Sequence, residues 1–131
     1  GSMIIPMDYD WHLLVGDDSA LPAISRRLEE LPQGARAIVV AQACDASGQR
    51  ELPSAAAVQV KWVDSGEAMV QALRDLALPE GGGYAWCAGE AAVMAQLCKV
   101  LLEEKQHPKE AMKVAVYWMP GASDFHETLE A

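Results

Sequence analysis

Asp10-Trp11-His12-Leu13-Leu14-Val15-Gly16-Asp17-Asp18-Ser19-Ala20-Leu21-Pro22 decides the fold. The first half is a short, mostly apolar run that stops at a glycine. The second half is a polar turn of residues that cap helices, with a proline at the next helical position. Strand, turn and helix follow. The spacing of Leu21, Ile24, Leu28 and Leu31 predicts a helix to about Leu31, with Arg26, Arg27, Glu29 and Glu30 on its other face and Pro32-Gln33-Gly34 ending it.

Downstream the same alternation repeats. Ala35 to Ala41 reads as a second strand, because Ile38-Val39-Val40 is a continuous apolar run of the kind buried on both faces of a parallel sheet. Residues 44 to 56 are turn-rich and give no element. Val58 to Val63 predicts a third strand, and Asp64-Ser65-Gly66 turns the chain into a helix carrying Met69, Val70, Leu73 and Leu76 on one side. After the connector Pro79-Glu80-Gly81-Gly82-Gly83, Tyr84 to Ala88 reads as a fourth strand. Gly89-Glu90 then opens a long helix to about Lys105, closed by His107-Pro108. Val114 to Trp118 is a fifth strand, ahead of Pro120-Gly121 and a polar tail. Strands alternating with helices imply right-handed crossovers, hence an α/β fold: an open, mostly parallel five-stranded sheet with helices on both faces. The order 3-2-1-4-5 puts its switch point at the C-terminal ends of the first and fourth strands, where such sheets present their ligand crevice.

The length of 131 residues supplies one ordinary core. Gly1-Ser2-Met3 reads as the remnant of tag cleavage, leaving residues 4 to 131 as a single domain and the chain as one part of a longer protein. No apolar run is long enough to cross a bilayer and no secretion signal is visible, so no membrane role and a cytoplasmic setting are expected. Ten basic against nineteen acidic side chains give a formal charge of -9, which repels polyanions and argues against a nucleic-acid partner. An anionic ligand would then need local devices: helix N-termini, backbone amides and one or two basic side chains. Cys44, Cys87 and Cys98 are too widely spaced for a disulfide framework or zinc site, and read as structural thiols. His12, His107 and His126 have no metal-ligand spacing.

Two turns converge on the crevice: Gly16-Asp17-Asp18-Ser19 after the first strand and Ala88-Gly89-Glu90 after the fourth. Each leads into a helix, so free amides and a positive dipole end are expected to face a pyrophosphate or ribose. The first turn is neither G-x-G-x-x-G nor a P-loop, and its aspartates oppose a phosphate. On spacing alone the simpler reading is that Asp18 or Ser19 only caps a helix. Glu90 likewise reads first as a favourable charge at a helix start.

A resemblance sharpens these readings. Trp11 to Ile24 is similar to the "GDETALPAI" signature of siderophore-interacting proteins, which are FAD-dependent ferric reductases, and Arg26 to Pro32 continues the likeness. Tyr84 to Ala92 resembles that family's "AWxAGEA" segment, and Tyr117-Trp118 with Gly121 its closing "GYWRxG". The resemblance implies a two-domain flavoprotein of the ferredoxin-reductase kind. An N-terminal β-barrel holds FAD, and this C-terminal domain presents NADPH or NADH. Hydride passes to the flavin, and the flavin reduces Fe(III) held by a siderophore. Iron leaves because Fe(II) suits hard oxygen chelators less well. The FAD-binding domain would then be a partner, in the same or a separate chain, and the ferric siderophore an indirect one. Without the barrel, the chain alone is expected to bind pyridine nucleotide and not to turn over.

Position by position, the resemblance implies a phosphate and ribose turn made of Gly16, Asp17, Asp18, Ser19, Ala20 and Pro22, with Ala88, Gly89 and Glu90 lining the nicotinamide side. Lys61 and Trp62 lie in a segment resembling "VxWLxR" near the adenosine end, but Ser65 stands at the arginine position. Lys61 either substitutes for that charge or is a solvated edge-strand lysine; it lacks arginine's planar fork. Trp118 stacks near the flavin or covers the crevice, although a large aromatic at a strand end reads more simply as packing. Met119 and Pro120 replace basic residues of the closing segment. These missing charges keep a second reading open: a noncatalytic Rossmann-like binding or interaction module that has lost its nucleotide specificity residues.

Overall fold

β1 (Trp11–Gly16) is buried at every position, as its unbroken apolar run requires of a central strand. A computed structural model describes residues 9–43 and 51–120 and a short strand at 127–129. Cys44, His126, Gly121, the first three residues and most of the stretch from 44 lie outside the described residues. The chain continues through a 3-10 turn (Asp18–Ala20) into α1 (Leu21–Glu30), then β2 (Arg36–Gln42), β3 (Ala57–Val63) and α2 (Gly66–Asp75). β4 (Gly83–Glu90), α3 (Ala91–Lys99), a π-helical turn (Val100–Glu104), β5 (Met112–Trp118) and β6 (Glu127–Leu129) complete it. The first five strands are parallel in the order 3-2-1-4-5 that the alternation predicts, and β6 adds an antiparallel edge beside β5. The sixth strand replaces part of the polar tail read from sequence. Its three residues are too few for a period-2 pattern to stand out.

The sheet has two apolar faces. Leu13, Val15, Val40, Cys87 and Val114 meet Met69 and Leu73 of α2 and Met94 and Leu97 of α3 on one side. Leu14, Val39, Ala41, Trp86 and Ala88 meet Leu21, Ile24 and Leu28 of α1 on the other. Helices of about ten residues each bury one stripe, which is where most of their stability originates.

Two boundaries differ from the sequence reading. Gly89 and Glu90 extend β4 by two residues, with the pairing to β5 slipping by one residue at that point, and Glu90 at the strand's end is also the cap that opens α3. The helix expected to run evenly to Lys105 widens into a π turn after Lys99. There Lys105 N donates to Val100 O, and Lys105 Nζ reaches the carbonyls of Arg74 and Leu76 at the end of α2. The last carbonyls of α2 thus gain a cation from the end of the next helix, while Arg74 in the last turn of α2 pairs with Glu104.

Candidate functional site

Trp62, Ala41, Gly16, Ala88 and Ala115 form one row across β3, β2, β1, β4 and β5. Just beyond this row the chain leaves β1 and β4 toward opposite faces, which makes the rim above Gly16 and Ala88 the switch point of the sheet. Gly16 is there because no side chain fits: a Cβ would lie 2.7 Å from Ala20 Cβ and 2.9 Å from Ala88 O. Ala20 is buried against it, and Pro22 occupies the first turn of α1, where its missing N–H costs nothing.

Asp17 organises the rest. Its buried carboxylate accepts from Ser19 N (3.1 Å) and Ser19 Oγ on one oxygen, and from Glu90 N (3.1 Å) and Trp118 Nε1 (2.9 Å) on the other. One side chain therefore joins the ends of β1, β4 and β5. Gly89 permits this contact: its φ is 153°, and a Cβ there would sit 2.7 Å from Asp17 Oδ2. Glu90, half-buried, turns its carboxylate onto Val93 N at 2.8 Å and caps α3. Trp118 is 41% exposed and lies at the rim, held by its indole N–H.

The two turns thus differ from the free amides expected of them. Ser19 N and Glu90 N are taken by Asp17 and Val93 N by Glu90, so the chain's own carboxylates occupy the donors that a phosphate would use. Asp18 N and the amides of Ala91 and Ala92, the first two of α3, have no acceptor within their own helices. Asp18 and Ser19 are exposed. Trp62 joins the rim row on the α1 face. Lys61 points to the opposite face and lines a cavity of about 220 Å³ with Gln59, Ala72, Asp75 and Leu76, apart from the other candidate residues.

The rim is acidic. Asp17, Asp18, Asp64, Glu67 and Glu90 stand in the strand ends and first helical turns, and among the described residues these turns hold no Lys or Arg. The Ser19 hydroxyl is bonded to the Asp17 carboxylate, and His12 and His107 are buried away from it. The described residues contain no cluster of three or more His, Cys, Asp or Glu able to hold a metal. Burial pushes the Cys87 thiol far up, so it is an inert core group. A broader cavity of about 600 Å³ opens at the other end of the sheet, between the starts of β2 and β3. It is lined mainly by alanines, with Arg36 and Gln59, and has no convergent polar group.

Two contacts were invisible in the sequence. The Asp17–Trp118 bond spans 101 positions, and the Arg27 guanidinium lies over the Trp86 ring at 4.3 Å. Only the folded sheet brings either pair together.

Residues 9–121 match the family model described as siderophore-interacting protein. The chain belongs to this family. Among its relatives are the ferric vibriobactin reductase ViuB of Vibrio cholerae, 29% identical, and the NADPH-dependent ferric-chelate reductase of Escherichia coli K12, 30% identical. Each match covers 90% of this chain and 47% or 48% of the relative, so this siderophore-interacting protein chain spans about half their length. A siderophore utilization protein from T. fusca superposes with a TM-score of 0.82 at 27% identity, over 90% of this chain and 48% of that one. The siderophore-interacting protein SipS of Aeromonas hydrophila shares the fold, with a TM-score of 0.79 at 23% identity. No helix among the described residues is long and apolar enough to cross a membrane.

Proposed function

We propose that this domain binds a reduced pyridine nucleotide across the rim of β1 and β4 and presents it to FAD on a separate flavin-binding domain, in a cytoplasmic ferric-siderophore reductase. One observation carries the reading: the chain aligns with about half of proteins named ferric reductases, and that half is a doubly wound domain whose switch point lies between two helix-opening turns. The local structure suits a dinucleotide held by backbone. Gly16 lets the chain turn tightly at the strand end, and α1 and α3 start at the rim and bring the positive ends of their dipoles to it. Gly16 to Pro22 would hold the phosphates and ribose, Trp62 would flank the adenosine end, and Ala88, Gly89 and Glu90 would line the nicotinamide side. Reduced nicotinamide supplies the hydride. Trp118, tied to Asp17 and half exposed, covers the nicotinamide end from water until the flavin domain approaches.

In this reading the chain's task is binding and orientation, and the redox chemistry belongs to the nucleotide and the flavin. The expected result is no NADH or NADPH oxidation by the chain alone, and oxidation with ferric chelate reduction once a flavin-binding half is joined to it. Turnover by the chain alone, or none in the joined protein when FAD is bound, would sink the proposal. The acidic rim favours one competing reading, a noncatalytic interaction module; in that case neither form would bind nucleotide saturably.

A further inference from the structure

We infer that β3 is a self-association edge: two copies of this chain pair β3 with β3, antiparallel about a two-fold axis through Val60, and join their sheets into one. β3 and β6 are the edges of the sheet, and β3 is the long one, seven residues against three. A long edge with unpaired backbone groups is a template for a further strand, and chains that avoid such pairing blunt the edge with prolines, bulges or charges. β3 has no proline, keeps an unbroken register with β2 and carries one charge, Lys61. Among the described residues no strand pairs with its outer side. Exposed and half-buried residues alternate from Ala57 to Trp62, and both the 600 Å³ and the 220 Å³ cavity adjoin the strand.

The backbone sets the register. Ala57 N donates to Ala35 O and Val63 O accepts from Ala43 N, both at 2.9 Å, so these two residues face β2. The N–H and C=O of one residue point to the same side of a strand and alternate along it, so those of Val58, Val60 and Trp62 point outward. An antiparallel copy must match outward groups with outward groups, which permits a two-fold axis through a residue and none between residues. An axis through Val60 overlaps the whole strand. Val60 then meets Val60, Val58 meets Trp62, Ala57 meets Val63 and Gln59 meets Lys61. Val58, Val60 and Trp62 are half-buried on the α1 side and carry an apolar stripe across the seam. Gln59 and Lys61 lie on the α2 side, where an axis through Lys61 would set the two lysines opposite one another, whereas the axis through Val60 gives each an amide.

Sedimentation velocity of the 131-residue chain is the test. A monomer–dimer equilibrium is expected at about 0.1 mM, tightening as salt screens the repulsion between two copies of charge -9. Gln59→Lys sets lysine against lysine and is expected to weaken the dimer about fivefold or more, although it lowers the net negative charge. Gln59→Glu is expected to tighten the dimer, although it raises that charge. Adding Lys61→Gln to Gln59→Lys restores the amide–lysine pairing and is expected to return the affinity of the unaltered chain. Positions 59 and 61 are exposed, so melting of dilute samples followed by circular dichroism stays unchanged in all three variants. A monomer up to about 1 mM, or a dimer whose variants are indifferent or follow net charge alone, would overturn the inference whatever nucleotide titrations show.

Discussion

Removing the Asp17 carboxylate leaves Ser19 N, Glu90 N and Trp118 Nε1 without their shared acceptor. Asp17→Ala is expected to cost about 1–3 kcal/mol, since these part-buried donors lose an acceptor that joins three strand ends, and to shift Trp118 fluorescence in the folded state. Urea denaturation with tryptophan emission measures both. Gly89→Ala meets two obstacles at once, the φ of 153° and the carboxylate 2.7 Å from its Cβ, so a loss of about 1–3 kcal/mol is expected in the same assay. His12 supplies a pH dependence. It is fully buried, both ring nitrogens lack partners, and burial lowers its pKa from 6.5. The unfolded chain therefore takes up a proton near pH 6.5 that the folded chain refuses. Its contribution is fully present above that pH and lost as pH falls from there toward the lowered folded value. Thermal melts from pH 7.5 to 5 should show a steeper fall for the natural chain than for His12→Leu; parallel curves would refute the assignment. At this scale the sequence was a partial guide. Gly16 and Glu90 were legible because their roles are local, whereas the partners of Asp17 and Arg27 depend on which strand ends become neighbours.

Among the elements, strands and helices were read well where an apolar period ran unbroken and poorly where it met an irregularity. β1, β2 and α1 agree with the spacing of Leu14, Val39 and Leu28. The end of β4 moved by two residues, because the register slip at Gly89 is a property of the pairing with β5 and leaves no trace in β4 alone. The π turn after Lys99 was missed for a similar reason: its Lys105 bonds are with α2. Helix caps give a direct test of the element account. Ser65→Ala and Glu90→Ala each remove one acceptor from a first-turn amide, of Ala68 and Val93, and each should destabilise by about 1 kcal/mol. Thermal unfolding of the two variants measures this, and an unchanged midpoint for either would show that its cap contributes nothing.

For the whole molecule, the formal charge of -9 includes five carboxylates on the switch-point rim, Asp17, Asp18, Asp64, Glu67 and Glu90, while the described Lys and Arg residues avoid its turns. Composition alone announced the sign of the charge and not its placement, which follows from which ends of the strands face up. The strand order was legible because five alternating elements leave few right-handed arrangements. Lys61 was harder to assign, since strand periodicity fixes which residues share a face but not which face meets α2. The site proposed here depends on the rim, not on the roomier cavity between the starts of β2 and β3. The decisive measurement is a titration of NADH into the isotopically labelled chain, followed by amide resonances in two-dimensional NMR. Saturable shifts gathered at Gly16, Asp18, Ser19, Trp62, Ala88, Gly89 and Glu90 are the expected result; an unchanged spectrum at millimolar NADH, or shifts gathered at Gly34 to Ala37 and Ala55 to Gln59, would contradict it.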